Sequence, residues 1–322
     1  MGDSTGIVYK PQFHLIQLAP MECIASCVMT ALGMKGQVPE WYLLDYWNIN
    51  YFFKVLVSSK KSMNLKNLKT IYGVEVAFRK TTPEELAHRF AAGGLALLDC
   101  KASRLPFFPS SMLSYDDSGF THSILLCGFR EEDRCFLVAD PVAGYEGWVP
   151  EEVLLQAGVY KGQLYVHMLQ FSEPSPTHTH LELFRYAARN NRDYFETEDA
   201  RSGRNALFSF TRDIEVLLQD NPSRLPEWIG QNILTVTSII TMRKKVWEAL
   251  KRLNVIPEED EQGVSGLFDD IVKQWTRFNY LLVKLKINPS SDLLASLMAK
   301  NEDIVQSERT FLYRLSELGG KS

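Results

Sequence analysis

The chain has 322 residues, 45% hydrophobic and 23% charged, with a formal net charge of −4. This length exceeds an ordinary single domain and the apolar content suffices for a real core, so wholesale disorder is excluded and two domains are favoured. The acidic balance, with no basic, aromatic-interleaved groove, argues against nucleic acid as a partner.

No stretch of about 18 apolar residues occurs, and Met1 to Gln12 lacks the cationic and apolar regions of a secretion signal, so a cytoplasmic, non-membrane protein is expected. The five cysteines, Cys23, Cys27, Cys100, Cys127 and Cys135, are spaced neither as metal knuckles nor as a disulfide framework. At least one thiol is therefore free, and no bound metal or cofactor is expected.

Read in chain order, FHLI (Phe13–Ile16) is strand-like and ends at Gln17. Cys23–Leu32, with no Gly or Pro inside, predicts a helix. The aromatic stretch of Trp41, Tyr42, Tyr46, Trp47, Tyr51, Phe52 and Phe53 reads as core, or in part as the lining of an acyl or acceptor pocket. Thr82 is an N-cap for a helix over Pro83–Ala92, with Pro83 at its first position. Short runs rich in leucine, β-branched and aromatic residues predict strands at Val74–Phe78, Leu95–Asp99, Ser123–Phe129, Cys135–Ala139 and Gln163–Phe171. The charged run Arg130–Arg134 between two of them marks a hairpin. The layout is α+β, with a helical front and a mostly antiparallel sheet.

Ser172–Leu181 (SEPSPTHTHL) has the chemistry of a linker, dividing residues 1–171 from a helical section, 182–322. There the period changes. Apolar residues recur at helical spacing through Ile239, Met242, Val246 and Leu250, then Ile271, Trp275, Phe278 and Leu282, then Leu297, Ile304, Phe311 and Leu315, with Glu308 on the same stripe. At least three long helices are predicted, broken at Pro257–Gly263 and Asn288–Pro289. Arg243, Lys244, Lys245, Lys251 and Arg252 crowd one of them, either as a solvated face or as a docking patch for an acidic carrier protein.

Cys23 stands where a helix begins, beside unpaired N–H donors and a partial positive charge that favour a thiolate. Cys27, one turn deeper, reads as a core thiol. His122 opens one strand and Asp140 closes the next, so a hairpin brings imidazole and carboxylate together at one sheet edge, as a cysteine base and its orienter require. Gln17 is placed to donate its amide to an oxyanion beside Cys23. His88, His167, His178 and His180 read as structural or solvated, and His14 as a second-rank candidate.

Gln17, then Cys23 at a helix start, His122 heading a strand that runs to Cys127-Gly128-Phe129, and Asp140-Pro141 together resemble the papain-like C39 peptidase fold. The chain departs from it in having Glu22-Cys23-Ile24 where those peptidases favour Asp-Cys-Gly. The whole layout, with Trp275 and a late Glu308 in the helical part, is similar to the butirosin biosynthesis acyltransferases. The resemblance implies Cys23 as nucleophile, His122 as base, Asp140 as its partner and Gln17 as oxyanion donor. It further implies transfer of an acyl group from the phosphopantetheine thioester of an acyl or peptidyl carrier protein to a small-molecule amine or hydroxyl, with the helices covering the site against water. The competing expectations are a peptidase or thioesterase built on the same residues, and a catalytically silent module that grips a carrier or peptide.

Overall fold

A computed structural model describes residues 14–58, 65–110, 121–160, 162–172 and 179–320. Among these, an antiparallel six-stranded sheet carries helices on both faces and a helical region follows it, an α+β architecture.

Helix α1 (Cys23–Met34) comes first. In the described part of FHLI no strand forms, contrary to expectation. The backbone N–H groups of Ile16 and Leu18 donate instead to the hydroxyls of Thr30 and Ser26, one turn apart on α1, which take the place of a partner strand. The aromatic stretch becomes a 3-10 helix (Pro39–Leu43) and a small hairpin of β1 (Asn50–Phe52) and β2 (Val55–Val57). Trp41, Tyr42, Tyr46, Trp47 and Tyr51 are buried, whereas Phe53 is exposed at the hairpin turn.

Next come α2 (Leu65–Tyr72), β3 (Val74–Thr81), α3 (Pro83–Ala91), β4 (Leu95–Cys100), β5 (His122–Arg130), β6 (Cys135–Asp140), β7 (Tyr145–Pro150), α4 (Glu151–Ala157) and β8 (Leu164–Phe171). The sheet order is β3-β8-β4-β5-β6-β7. Thr82 caps α3 in a reciprocal box with Glu85, two hydrogen bonds of 3.2 Å that satisfy donors at the helix start. Both sheet faces are buried. Leu97, Leu125, Ala139 and Leu169 share a core with α1, while Leu98, Ile124, Val138 and Val166 share one with Leu86 of α3 and Leu154 of α4. Two buried faces explain why β4 (LALLDC) is an apolar run with no polar alternation.

The helical section comprises α5 (His180–Phe195), α6 (Arg204–Asp220), α7 (Leu225–Arg252), α8 (Glu258–Ile287) and α9 (Ser291–Gly320). Two expected boundaries move. Thr179 and Glu182 form a second capping box, so His180 and Leu181 belong to α5 rather than to a linker; residues 173–178 lie outside the described set. The break expected at Pro257–Gly263 moves to residues 253–257, because Glu258–Glu261 form the first turn of α8, where their carboxylates meet the positive end of the helix.

One apolar core runs from α1 and the aromatic stretch into α5–α9. Trp47 stacks on Phe311 of α9 with ring centroids 4.8 Å apart. The helices are thus part of the core that α1 stands on, and deleting them would expose it. At the junction lie Arg243 of α7 and Glu308 of α9, both fully buried. Glu308 accepts from Arg243 Nε at 2.8 Å and Nη2 at 3.0 Å, from Trp275 Nε1 at 2.6 Å and from Trp47 Nε1 at 3.0 Å. Arg243 also donates to the Asn48 carbonyl at 3.2 Å. Arg243 therefore belongs to no surface patch, contrary to its place in the basic cluster. Lys245 pairs with Glu248 and Arg252 with Glu40. Among the described residues no helix is long and apolar enough to cross a membrane.

Glu308→Gln would leave the Arg243 cation buried without a counter-charge, which costs about 3–5 kcal/mol. A urea denaturation midpoint lowered to match is expected, with a Glu308→Leu, Arg243→Met double variant recovering most of the loss; equal stability of wild type and Glu308→Gln would refute the role given to the pair.

Candidate active site

The turn at Pro20 and Met21, closed by Glu22 N donating to Ala19 O at 3.0 Å, stops the incoming chain, and α1 begins at Cys23. The first N–H groups of a helix have no acceptor within it, so they gather at the Cys23 end with the positive pole of the helix dipole. Glu22 is buried, and its carboxylate accepts from the Tyr46 hydroxyl at 2.8 Å and the Ser58 hydroxyl at 2.5 Å. The residue before Cys23 is thereby fixed to the aromatic stretch and to the end of the small hairpin.

His122 is the first residue of β5 and Asp140 the last of β6. Since Leu125 lies opposite Ala139, the register sets His122 diagonally across from Asp140. Their side chains meet with Nε2 2.7 Å from Oδ2. The other carboxylate oxygen accepts from the backbone of Val142 at 3.0 Å and Ala143 at 3.1 Å, so the fully buried Asp140 is satisfied by the turn it begins. Cys23 is the other group near enough to the imidazole to act on its proton affinity. Gln17 is exposed and donates its amide to the Val142 carbonyl at 3.2 Å, which joins it to the same turn. Asp140 thus links His122 to Gln17, the latter through Val142, at the turn after β6.

Burial by itself pushes His122 toward its neutral form, but the hydrogen bond and charge of Asp140, with the influence of Cys23, outweigh it and hold the imidazole up to about 10.

Cys27 is fully buried, and its thiol donates to the Ser123 carbonyl at 3.4 Å. Burial, with the charge of Asp140 added, pushes it well above the ordinary thiol range, as core packing implies. Burial likewise raises Cys127. All five cysteines are free thiols. Among the described residues no group of three or more His, Cys, Asp or Glu side chains is arranged to hold a metal ion.

The remaining described histidines lie elsewhere. His14 and His88 are exposed, His167 meets Asp99 at 3.1 Å, and His180 packs against Trp41. His178 lies outside the described residues. Sequence reasoning missed Phe108, whose ring meets the His122 imidazole edge-on at 4.7 Å, and the Val142 carbonyl that holds Gln17. A loop phenylalanine and a backbone oxygen carry no sequence signal.

Compared with protein-family models and with curated proteins, the chain matches none.

His122 has a higher proton affinity in the folded chain than in an unfolded one, about 10 against 6.5. Its contribution to stability is therefore fully present below pH 6.5 and is lost as pH rises through about 10. The stability advantage of wild type over Asp140→Asn is expected to shrink across that window in urea titrations at successive pH values. A difference that stayed constant would rule out the coupling.

Proposed function

We propose that the chain is a cysteine-dependent acyltransferase, with a papain-like, C39-type domain joined to a helical section as in the butirosin biosynthesis acyltransferases. The observation that carries the reading is the convergence of three separate elements: Cys23 at a helix N-terminus, His122 near enough to feel its influence, and Asp140 hydrogen-bonded to His122 at 2.7 Å.

In this mechanism the Cys23 thiolate attacks the carbonyl carbon of a carrier-bound phosphopantetheine thioester. The tetrahedral oxyanion is held by the Cys23 backbone N–H and by Gln17, whose amide has two N–H bonds and spends one on Val142. The carbon–sulfur bond to pantetheine then breaks, and the leaving thiolate takes the His122 proton. An amine or hydroxyl acceptor enters, gives its proton to His122 and attacks the acyl-Cys23 carbonyl, and the Cys23 thiolate departs. Asp140 orients the ring throughout, and the reaction needs no metal or bound cofactor. Neutral imidazole must form for the second half, so the strong pairing of His122 with Cys23 is relieved once the sulfur is acylated and uncharged.

Intact-protein mass spectrometry with acyl-pantetheine thioesters tests the reading: an acyl mass gain is expected on wild type and not on Cys23→Ala. A gain that decays in buffer at the same rate with and without amines would point to a thioesterase or peptidase. No gain with any donor would leave a silent binding module. Gln17→Ala is expected to acylate about 10²–10³ slower; an unchanged rate removes Gln17 from the oxyanion site.

A further inference from the structure

The segment after β4 reaches the candidate triad through Phe108. It is anchored at two points: Arg104 donates to the Gln156 carbonyl of α4 at 2.7 Å, and Leu105 is buried in the core beneath α3 and α4. Phe108 N donates to Leu105 O at 3.1 Å, which closes the turn and sets the direction of the two phenylalanines. The Phe107 ring lies flat on Tyr145, with centroids 3.8 Å apart and planes 4° from parallel. Tyr145 is the residue paired with Asp140 across β6 and β7. The Phe108 ring meets the His122 imidazole at 4.7 Å and 62°. Consecutive aromatic side chains therefore reach His122 itself and the residue opposite Asp140.

We propose that Phe107 and Phe108 form an aromatic cover that keeps water from the His122–Asp140 hydrogen bond, and that Phe108 is a positioning residue of the candidate triad. The proposal rests on the reading of Cys23, His122 and Asp140 as one catalytic unit. Its physical basis is local dielectric: an ion pair in contact with water is worth a small fraction of the same pair kept dry. Among the described residues, the titratable groups beside His122 are Cys23 from α1, Asp140 from β6 and Cys100, its register partner on β4. His122 is 8% exposed and Asp140 fully buried, so little water reaches the pair while the cover is in place.

The test is NMR titration of the histidine rings in wild type, Phe108→Ala and Phe108→Leu, with the His122 signals assigned by their loss in His122→Ala. The expected result is a raised midpoint in wild type, a fall of about one unit or more in Phe108→Ala, and a value near wild type in Phe108→Leu, which still excludes water. A merely structural phenylalanine would lower the melting temperature and leave the midpoint in place. A raised wild-type midpoint that Phe108→Ala does not move would overturn the cover alone. A wild-type midpoint near 6.5 would overturn the ion-pair reading of the site together with the cover. Should Phe108→Ala not fold, wild type decides by itself: a dry pair keeps the His122 Nε2 proton in slow exchange and visible downfield, whereas its loss to fast exchange with water would refute the proposal.

Discussion

Two opposite charges, Arg243 and Glu308, are held without water at the point where the sheet-bearing section meets the helices. Isolated burial of either would be prohibitive, and their attraction repays the desolvation only because every carboxylate lone pair finds a donor. Two of those donors are indoles, Trp47 from the aromatic stretch and Trp275 from α8, while Arg243 reaches the Asn48 backbone. Four stretches of chain therefore have to be in register before the pair is satisfied. An apolar substitute would pack as well but would fix no such register, and this is the sense in which a polar core group specifies a fold. From Trp47 and its neighbours the constraint reaches Tyr46, whose hydroxyl holds Glu22 beside Cys23.

The site shows the same logic at smaller scale. Each of its members lies at an element end: Cys23 starts a helix, His122 starts a strand, and Asp140 ends one. Element ends combine a rigid backbone on one side with unpaired backbone donors on the other, which suits groups that must be held still and yet hydrogen-bond outward. Asp140 uses the two N–H groups of its own turn for this, and Val142 of that turn passes the constraint on to Gln17.

Those placements were legible in the sequence because punctuation marks element ends: Pro20 before α1, Asp140-Pro141 after β6, Thr82-Pro83 at α3. Periodicity was equally informative for the long helices, and Glu308 fell on the apolar stripe of α9 where the structure buries it. Arg243 also sits on the buried stripe of α7, four residues after Ile239, yet its flanking lysines gave it the look of a surface charge. Its partner lies 65 residues away, and nothing local announces a pairing at that distance. The small hairpin went unseen for a different reason. Its turn residues, Phe53 and Lys54, have φ of 52° and 61°, a conformation usually signalled by Asn or Gly. Strand β7 was hidden by Gly147 and Pro150, residues tolerated there because it is an edge strand with one neighbour. The strand expected before Gln17 failed because Ser26 and Thr30, read only as helix residues, take its donors.

The bond between Trp47 and Glu308 spans 261 positions of sequence. A ribosome adding about 5–20 residues per second needs roughly 13–50 s to cover that interval. Throughout it the aromatic stretch under α1 has emerged without the helices that complete its core, and closing so long a loop is slow in its own right. The support of Cys23 is thus finished only when α9 has been made. A nascent chain has Cys23, His122 and Asp140 long before it has the rigid frame behind them, so their geometry is set last, by the order of synthesis itself.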